Sequence, residues 1–123
     1  MVENNYYRYL GKANAGKDNT ARYHLLAYHS LDVAATGYLL LSQQDGLLND
    51  LSDLLELPPE SLKRLLTFLL ALHDLGKFSA AFQQLPVFSA FSSGLKPPAR
   101  SYDASTHRHD RLGSYLVEQL FRN

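Results

Sequence analysis

The feature that most constrains the fold is a leucine-rich run that starts after two prolines and ends in a histidine beside an aspartate. Pro58 and Pro59 precede the run, and the block "LLALHDLGKF" closes it at residues 69–78. Proline in the first turn is typical of a helix N-terminus. Leucines then recur at helical spacing, at positions 62, 65, 66 and 69. The pattern predicts a helix that begins at the prolines, carries His73 on its apolar stripe and ends at Gly76.

The rest of the chain also favours helices. Apolar residues with helical spacing predict helices at residues 22–43, 47–57 and about 108–121, and a shorter helix at residues 78–85. Residues 1–21 are predicted as an irregular lead-in, and no strand-like alternation is long enough to predict a sheet. Residues 85–106 hold prolines, a glycine and many serines, which predicts a long loop of the kind that is often functional or mobile. The expected fold is all-α, in one domain.

Composition narrows the classes of function. The chain has no cysteine, which excludes disulfides and thiolate metal sites. Its 12 basic and 12 acidic residues balance, so nucleic-acid binding would need a local patch or another domain. The N-terminus lacks the apolar core of a signal peptide, and the longest apolar run, residues 65–72, is too short to span a bilayer. We expect a cytoplasmic protein.

Helical geometry sorts the five histidines by face. His29 shares a face with the predicted core residues of its helix, which are Leu25, Leu26, Val33 and Leu40. His73 ends the leucine stripe. His109 lies in register with the apolar residues three, seven and eleven positions later, which are Leu112, Leu116 and Leu120. Three predicted helices therefore each direct one histidine along an apolar face.

The other two histidines are predicted to lie outside this group. His107 aligns with a polar face of the last helix, and we expect it to be solvated. His24 stands at the predicted start of a helix, about 140 degrees around the axis from His29. These two side chains should therefore not share one site.

A metal ion would explain why Asp74 directly follows His73. Adjacent side chains on a helix diverge by about 100 degrees, yet both can reach an ion in a groove between helices. A single histidine on an apolar face is usually a hydrogen-bonded core residue. Three of them beside a carboxylate favour a metal site, because a buried imidazole without a partner is unfavourable. Imidazole and carboxylate donors suit Mn, Fe, Co, Ni or Zn better than Mg.

A motif for nucleotide binding is rejected. The stretch "GKANAGKD", residues 11–18, nearly matches the phosphate-binding loop G-x-x-x-x-G-K-[ST]. Asp18 replaces the hydroxyl residue that would bind Mg, and its carboxylate would repel phosphate. No buried strand is predicted before the stretch. We therefore do not predict a nucleotide site there.

The histidines and the aspartate also form a known family pattern. His29 followed by His73 and Asp74 is the pattern of the HD superfamily of metal-dependent phosphohydrolases. The stretches "HLLAYHSLDVAATG", "ALHDLGKFSAAFQ" and "HRHDRLGSYL" follow one another in the chain, after an N-terminal "YRYLGKA". Together they resemble the HD nuclease domain of the type I CRISPR nuclease-helicase over nearly the whole chain. The resemblance implies an HD-domain helical bundle.

The resemblance further implies a nuclease that cleaves single-stranded DNA with a divalent metal, which would be Mn, Ni, Co, Fe or Mg. The DNA would be unwound by a fused or separate helicase and delivered by an RNA-guided CRISPR surveillance complex. The positions that match the family's metal ligands are His29, His73, Asp74 and His109. Lys77 matches the lysine of the HDxGK block, which suits contact with a substrate phosphate. The alternative for Lys77 is a solvated lysine near a helix C-terminus.

One departure from the family pattern limits this expectation. The family's later ligands, a further histidine pair and a final aspartate, lie on helices beyond the third ligand. This chain stops at Asn123, fourteen residues after His109. We expect the N-terminal part of a nuclease domain, without the later ligand helices and with weak or no nuclease activity alone. Leu116 and Leu120 would lie uncovered, so self-association is expected. Two alternatives stay open: an HD phosphohydrolase acting on nucleotides, and a non-catalytic helical module that docks a partner.

Overall fold

The computed structural model describes residues 5–15, 21–88, 100–105 and 108–122. Most of these residues are helical, which confirms the predicted class. The helices are α1 (Leu26–Ser42), α2 (Asp45–Leu55), α3 (Pro59–Leu72), α4 (Ala80–Gln83) and α5 (His109–Phe121), with 3-10 helices at Asn5–Arg8 and Leu75–Phe78. No helix in the described ranges combines the length and apolar character that crossing a bilayer requires. The chain forms two compact units: the helical unit, Ser30–His73, and the hairpin unit, Met1–His29 with Asp74–Asn123.

The hairpin unit contains two antiparallel strands that the sequence pattern did not predict. β1 (Leu10–Ala15) pairs with β2 (Ala21–Leu25), with an irregularity at the start of β1. The irregular lead-in and the helix start predicted at residue 22 are therefore wrong, because α1 begins at Leu26. Strands this short carry too few alternating residues to stand out from a helical pattern. Residues 11–15 of the rejected phosphate-loop stretch lie in β1.

A left-handed residue ends α2 in the helical unit. Glu56 has a φ of 54°, a conformation that few residues other than glycine adopt. The backbone N–H of Leu57 donates to Ser52 O at 3.1 Å, and the buried Ser52 hydroxyl donates to Leu57 O. These bonds close the helix end, so α2 stops before Pro58, as predicted.

α3 begins at Pro59, as predicted, and its first turn holds an ion pair. Lys63 Nζ lies 2.9 Å from the Glu60 carboxylate. The hydrogen bond from Lys63 holds the pKa of Glu60 below its ordinary value, and a negative charge is favourable at a helix N-terminus. The α-helix ends at Leu72 rather than at Gly76, because the chain then tightens into a 3-10 helix.

Much apolar surface of the helical unit is exposed. Leu40 is 56% exposed, so its prediction as a core residue of α1 is wrong. It lines an open apolar groove of about 390 Å³ between α1 and α3, together with Gly37, Leu41, Leu66, Leu69 and Leu70. Apolar residues occur on several sides of α1, so its sequence alone did not indicate which face is buried.

The hairpin unit has a small core beside its strands. Leu10, Phe82 and Phe88 are the buried members, and the rings of the two phenylalanines lie 5.4 Å apart between centroids. α4 provides Phe82, and the Ser79 side chain caps that helix by accepting a hydrogen bond from Phe82 N–H at 3.3 Å. The predicted short helix is confirmed, within narrower bounds.

Gln83 ties the hairpin to the segment that carries Lys77. Its side chain is fully buried. The amide oxygen accepts from Leu10 N–H at 2.9 Å, and the amide nitrogen donates to Leu10 O at 2.9 Å and to Lys77 O at 2.8 Å. The side chain thus pairs with β1 as a neighbouring strand would, and both amide protons are used. No sequence pattern indicated this role.

α5 confirms the predicted last helix, which begins at His109. Leu112 is half-buried, whereas Leu116 is 38% exposed. The side chain of Leu120 lies outside the described residues. Of the predicted long loop, residues 85–106, those at 85–88 and 100–105 are described and form neither helix nor strand, and the others lie outside the described residues.

Candidate metal centre

A buried carboxylate stands at the centre of the candidate site. Asp74 is 4% exposed and directly precedes the 3-10 helix Leu75–Phe78. His29 Nε2 lies 3.1 Å from Asp74 Oδ2, and His109 Nε2 lies 3.6 Å from Asp74 Oδ1. Each carboxylate oxygen therefore faces a different imidazole, one from the first turn of α1 and one from the first residue of α5. Within the hairpin unit, the structure brings together the predicted metal ligands His29, Asp74 and His109.

Lys77 supplies a positive charge next to this carboxylate. Its Nζ lies 2.7 Å from Asp74 Oδ2, and its side chain is 15% exposed. The same ammonium group donates to the carbonyl oxygen of Gly11 at 3.4 Å. Because a buried carboxylate without a counter-charge is unfavourable, Lys77 stabilises the charged form of Asp74. The alternative prediction of a solvated lysine does not describe this side chain.

Gly76 lets α5 approach the backbone between Asp74 and Lys77. A Cβ atom at Gly76 would lie 1.9 Å from the carbonyl oxygen of His109 and 2.9 Å from the backbone nitrogen of Gly113. The first turn of α5 therefore packs directly on the glycine backbone. This contact sets the position of His109, whereas the sequence pattern predicted only a helix end at Gly76.

We expect Gly76→Ala to lower the free energy of unfolding by about 2 kcal/mol or more, because the new methyl group would overlap backbone atoms. It should also weaken metal binding, since His109 would have to move. Gly46→Ala in α2 is the matched control, because a Cβ there would meet no atom within 4 Å other than its chain neighbours and its own helix backbone. That control should raise stability by up to about 1 kcal/mol. Chemical denaturation measures both variants, and equal stabilities would contradict the close approach of α5.

Tyr102 contacts the far side of the His109 ring. Its hydroxyl lies 3.2 Å from His109 Nδ1 and accepts a hydrogen bond from the His109 backbone N–H at 3.3 Å. The tyrosine ring packs edge-on against Phe82, with centroids 5.3 Å apart and planes at 87°. Tyr102 belongs to the segment predicted as a long loop, and no sequence signal marked it as part of the site.

An ion pair lies at the N-terminus of α5, beside His109. The backbone N–H of Arg111 donates to the Asp110 carboxylate at 2.9 Å, and the Arg108 guanidinium contacts the same group at 2.9 Å. The backbone hydrogen bond, with a smaller contribution from Arg108, holds the pKa of Asp110 below its ordinary value. A negative charge at this helix N-terminus is favourable, so Asp110 stabilises the start of α5.

His73 is the last residue of the helical unit, and a peptide bond joins it to Asp74 of the hairpin unit. It caps the C-terminus of α3 and is exposed. Its Nδ1 lies 2.6 Å from Leu70 O within the same unit. Its role as a metal ligand stays a prediction, which rests on that peptide bond and on the family pattern.

The two histidines that were predicted to lie outside the site have different outcomes. His24 lies in β2 rather than at a helix start. Because no helix joins His24 to His29, the angle predicted between them does not apply. Their ring centroids lie 5.8 Å apart. His107 lies outside the described residues.

The donor set fits a divalent metal. Within the hairpin unit, His29 Nε2, the Asp74 carboxylate oxygens and His109 Nε2 are atoms of the kind that such ions bind. Ligands about 2.1 Å from one ion lie about 3.0 to 3.4 Å from each other. The observed nitrogen–oxygen distances of 3.1 and 3.6 Å are close to that range. The residues present therefore suit an ion of the Mn, Fe, Co, Ni or Zn type.

Comparison with known proteins identifies the family. A family profile described as "Cas3, HD domain" matches residues 10–123. The chain belongs to the Cas3 HD-domain family. It is also 39% identical over 75 residues to the CRISPR-associated endonuclease/helicase Cas3 of Escherichia coli (strain K12), an alignment that covers 61% of this chain and 8% of that protein. No solved structure matches the chain significantly. Membership of the Cas3 HD family confirms the resemblance that the motifs indicated.

Proposed function

We propose that this chain is the metal-binding part of a nuclease that cleaves single-stranded DNA in type I CRISPR interference. The observation that carries the proposal is the buried Asp74 carboxylate, with an imidazole Nε2 atom facing each oxygen. In a member of the Cas3 HD family, this arrangement supports metal-dependent hydrolysis of phosphodiester bonds. The Escherichia coli relative is named an endonuclease/helicase. That name supports a single-stranded DNA substrate, which a fused or separate helicase would produce.

The proposed metal ligands are His29, His73, Asp74 and His109. Asp74 would supply anionic oxygen donors to the ion, and each of its two oxygens faces a different imidazole. The imidazoles must offer neutral nitrogen atoms, since a protonated ring has no lone pair for a metal. A divalent ion held there would lower the pKa of a water molecule towards neutral pH and would stabilise negative charge on phosphoryl oxygens.

Lys77 is proposed to contact the substrate phosphate. Its ammonium group lies 2.7 Å from the Asp74 carboxylate and neutralises its charge. A divalent cation held by Asp74 would offset the charge of the carboxylate, and the flexible four-carbon stem of Lys77 would let its ammonium group contact an anionic substrate. The ammonium group would then stabilise charge that develops on the phosphate during hydrolysis.

The wider setting belongs to the same proposal. An RNA-guided CRISPR surveillance complex would deliver the DNA, in the cytoplasm, and the ion would be Mn, Ni, Co, Fe or Mg. We also propose that the isolated chain self-associates, because large apolar side chains of α5, among them Leu116 and Phe121, are exposed. Exposed apolar surface of this kind favours burial against a partner.

A cleavage assay with the purified chain tests the proposed function. Circular single-stranded DNA is incubated with the chain and Mn²⁺ or Ni²⁺, with and without EDTA. We expect slow, EDTA-sensitive cleavage that Asp74→Asn removes. Asp50→Asn should leave it unchanged, because Asp50 is an exposed carboxylate on α2.

Two other outcomes would contradict the proposal. Faster hydrolysis of nucleotides than of DNA would favour an HD phosphohydrolase that acts on nucleotides. No hydrolysis of either substrate, together with no binding of Mn²⁺ or Ni²⁺ by the purified chain, would contradict the proposal and favour a helical docking module.

A further inference from the structure

We propose that Tyr102 is a positioning residue for His109. Its hydroxyl group holds the imidazole ring so that Nε2 faces Asp74. The proposal rests on the proposed metal-dependent function, because it assigns a partner to one of the proposed ligands. A metal-binding histidine needs a hydrogen-bond partner for its second ring nitrogen, since that bond fixes the ring orientation and the location of the proton. The Tyr102 hydroxyl contacts that second nitrogen, Nδ1, at 3.2 Å.

Packing and a backbone hydrogen bond hold the hydroxyl group in place. The His109 backbone N–H donates to the Tyr102 oxygen at 3.3 Å. The Tyr102 ring lies edge-on to the buried Phe82 ring, 5.3 Å between centroids, and the His109 ring lies 5.2 Å from the same phenylalanine. The three rings form one packed group, so Nδ1 and the hydroxyl cannot separate without losing aromatic contacts.

A hydroxyl suits this position because it can both donate and accept a hydrogen bond. When Nδ1 carries no proton, the Tyr102 O–H donates to it, and Nε2–H faces the Asp74 carboxylate. When Nε2 must offer its lone pair to a metal, the proton lies on Nδ1 and the Tyr102 oxygen accepts it. A backbone carbonyl could support only the second state. Tyr102 therefore holds His109 in one orientation whether the proton lies on Nδ1 or on Nε2.

Tyr102→Phe removes the hydroxyl and keeps the packed ring. We expect the Kd for Mn²⁺ or Zn²⁺, measured by titration calorimetry of the purified chain, to rise about 10- to 100-fold. Tyr115→Phe is the matched control, because Tyr115 lies on the same helix as His109 and is 56% exposed. The Kd of that control should stay within about twofold of the unchanged chain.

Nitrogen NMR of the metal-free chain separates this proposal from the proposed function. The shifts of isotopically labelled histidine report which ring nitrogen carries the proton, and His109→Ala identifies the signals of His109. We expect Tyr102→Phe to change the tautomer population of His109. An unchanged population would overturn the positioning role, whatever the Kd. A changed population with an unchanged Kd would keep that role and reject His109 as a metal ligand.

Discussion

Asp74→Asn is expected to weaken the binding of Mn²⁺ or Ni²⁺ to the chain more than about 100-fold, because even the partners of metal ligands contribute about 10- to 100-fold. The amide keeps the size of the side chain and removes the negative charge. Two imidazole nitrogens and Lys77 Nζ converge on that charge, at 3.1, 3.6 and 2.7 Å. Titration calorimetry on the chain measures the change in affinity.

The same variant should lower the free energy of unfolding. Removing one partner of a buried ion pair leaves the other charge without compensation. We expect a loss of about 1 to 3 kcal/mol, less than for a fully buried pair because the Lys77 side chain partly reaches water. Asp50→Asn, at an exposed position of α2, should change neither affinity nor stability. Unchanged metal affinity in Asp74→Asn would place the ion elsewhere in the protein.

Gln83→Met is expected to destabilise the fold more than Asp74→Asn or Gly76→Ala. Methionine has a similar volume, but it leaves Leu10 N–H, Leu10 O and Lys77 O without the hydrogen bonds that the amide makes. Each buried polar group that loses its partner costs about 1 to 3 kcal/mol. We expect a total loss of about 3 kcal/mol or more, which is large against the roughly 5 to 15 kcal/mol of a typical domain. Urea denaturation measures it.

The neighbouring glutamine provides the control for this experiment. Gln84 is exposed, so Gln84→Met should change stability by less than about 0.5 kcal/mol. Hydrogen exchange adds a local readout, because the Leu10 N–H should exchange faster in Gln83→Met than in Gln84→Met. Equal exchange rates at Leu10 in the two variants would show that Gln83 does not hold β1 in place.

Helices whose apolar pattern extends over several turns and whose ends carry clear signals could be predicted from the sequence. α3 begins at the predicted Pro59 because a proline in the first turn is a local signal. The short strands could not be predicted, since β1 and β2 depend on pairing with each other rather than on a pattern within either segment. The burial of helix faces was only partly predictable: Leu26 is buried as expected, whereas Leu40 on the same helix is exposed.

The candidate site was also only partly predictable from the sequence. The HDxGK block indicated that Asp74 and Lys77 carry chemistry, but the sequence left open whether the lysine is solvated or paired. No sequence pattern indicated the roles of Tyr102 and Gln83. The partner of Gln83 is distant along the chain, and an irregular segment separates Tyr102 from His109. Gln83, for example, is 73 residues from Leu10.

The amino-acid sequence by itself determined the donor atoms of this protein and most of the helices that carry them. Those properties depend on residue type and on spacing over a few turns, which any chain displays directly. Only the tertiary structure decided that Asp74 is buried between His29 and His109, and that Lys77 neutralises it. It also decided that a glycine lets α5 reach the site. Contacts of this kind join residues far apart in the chain and leave no periodic mark in the sequence.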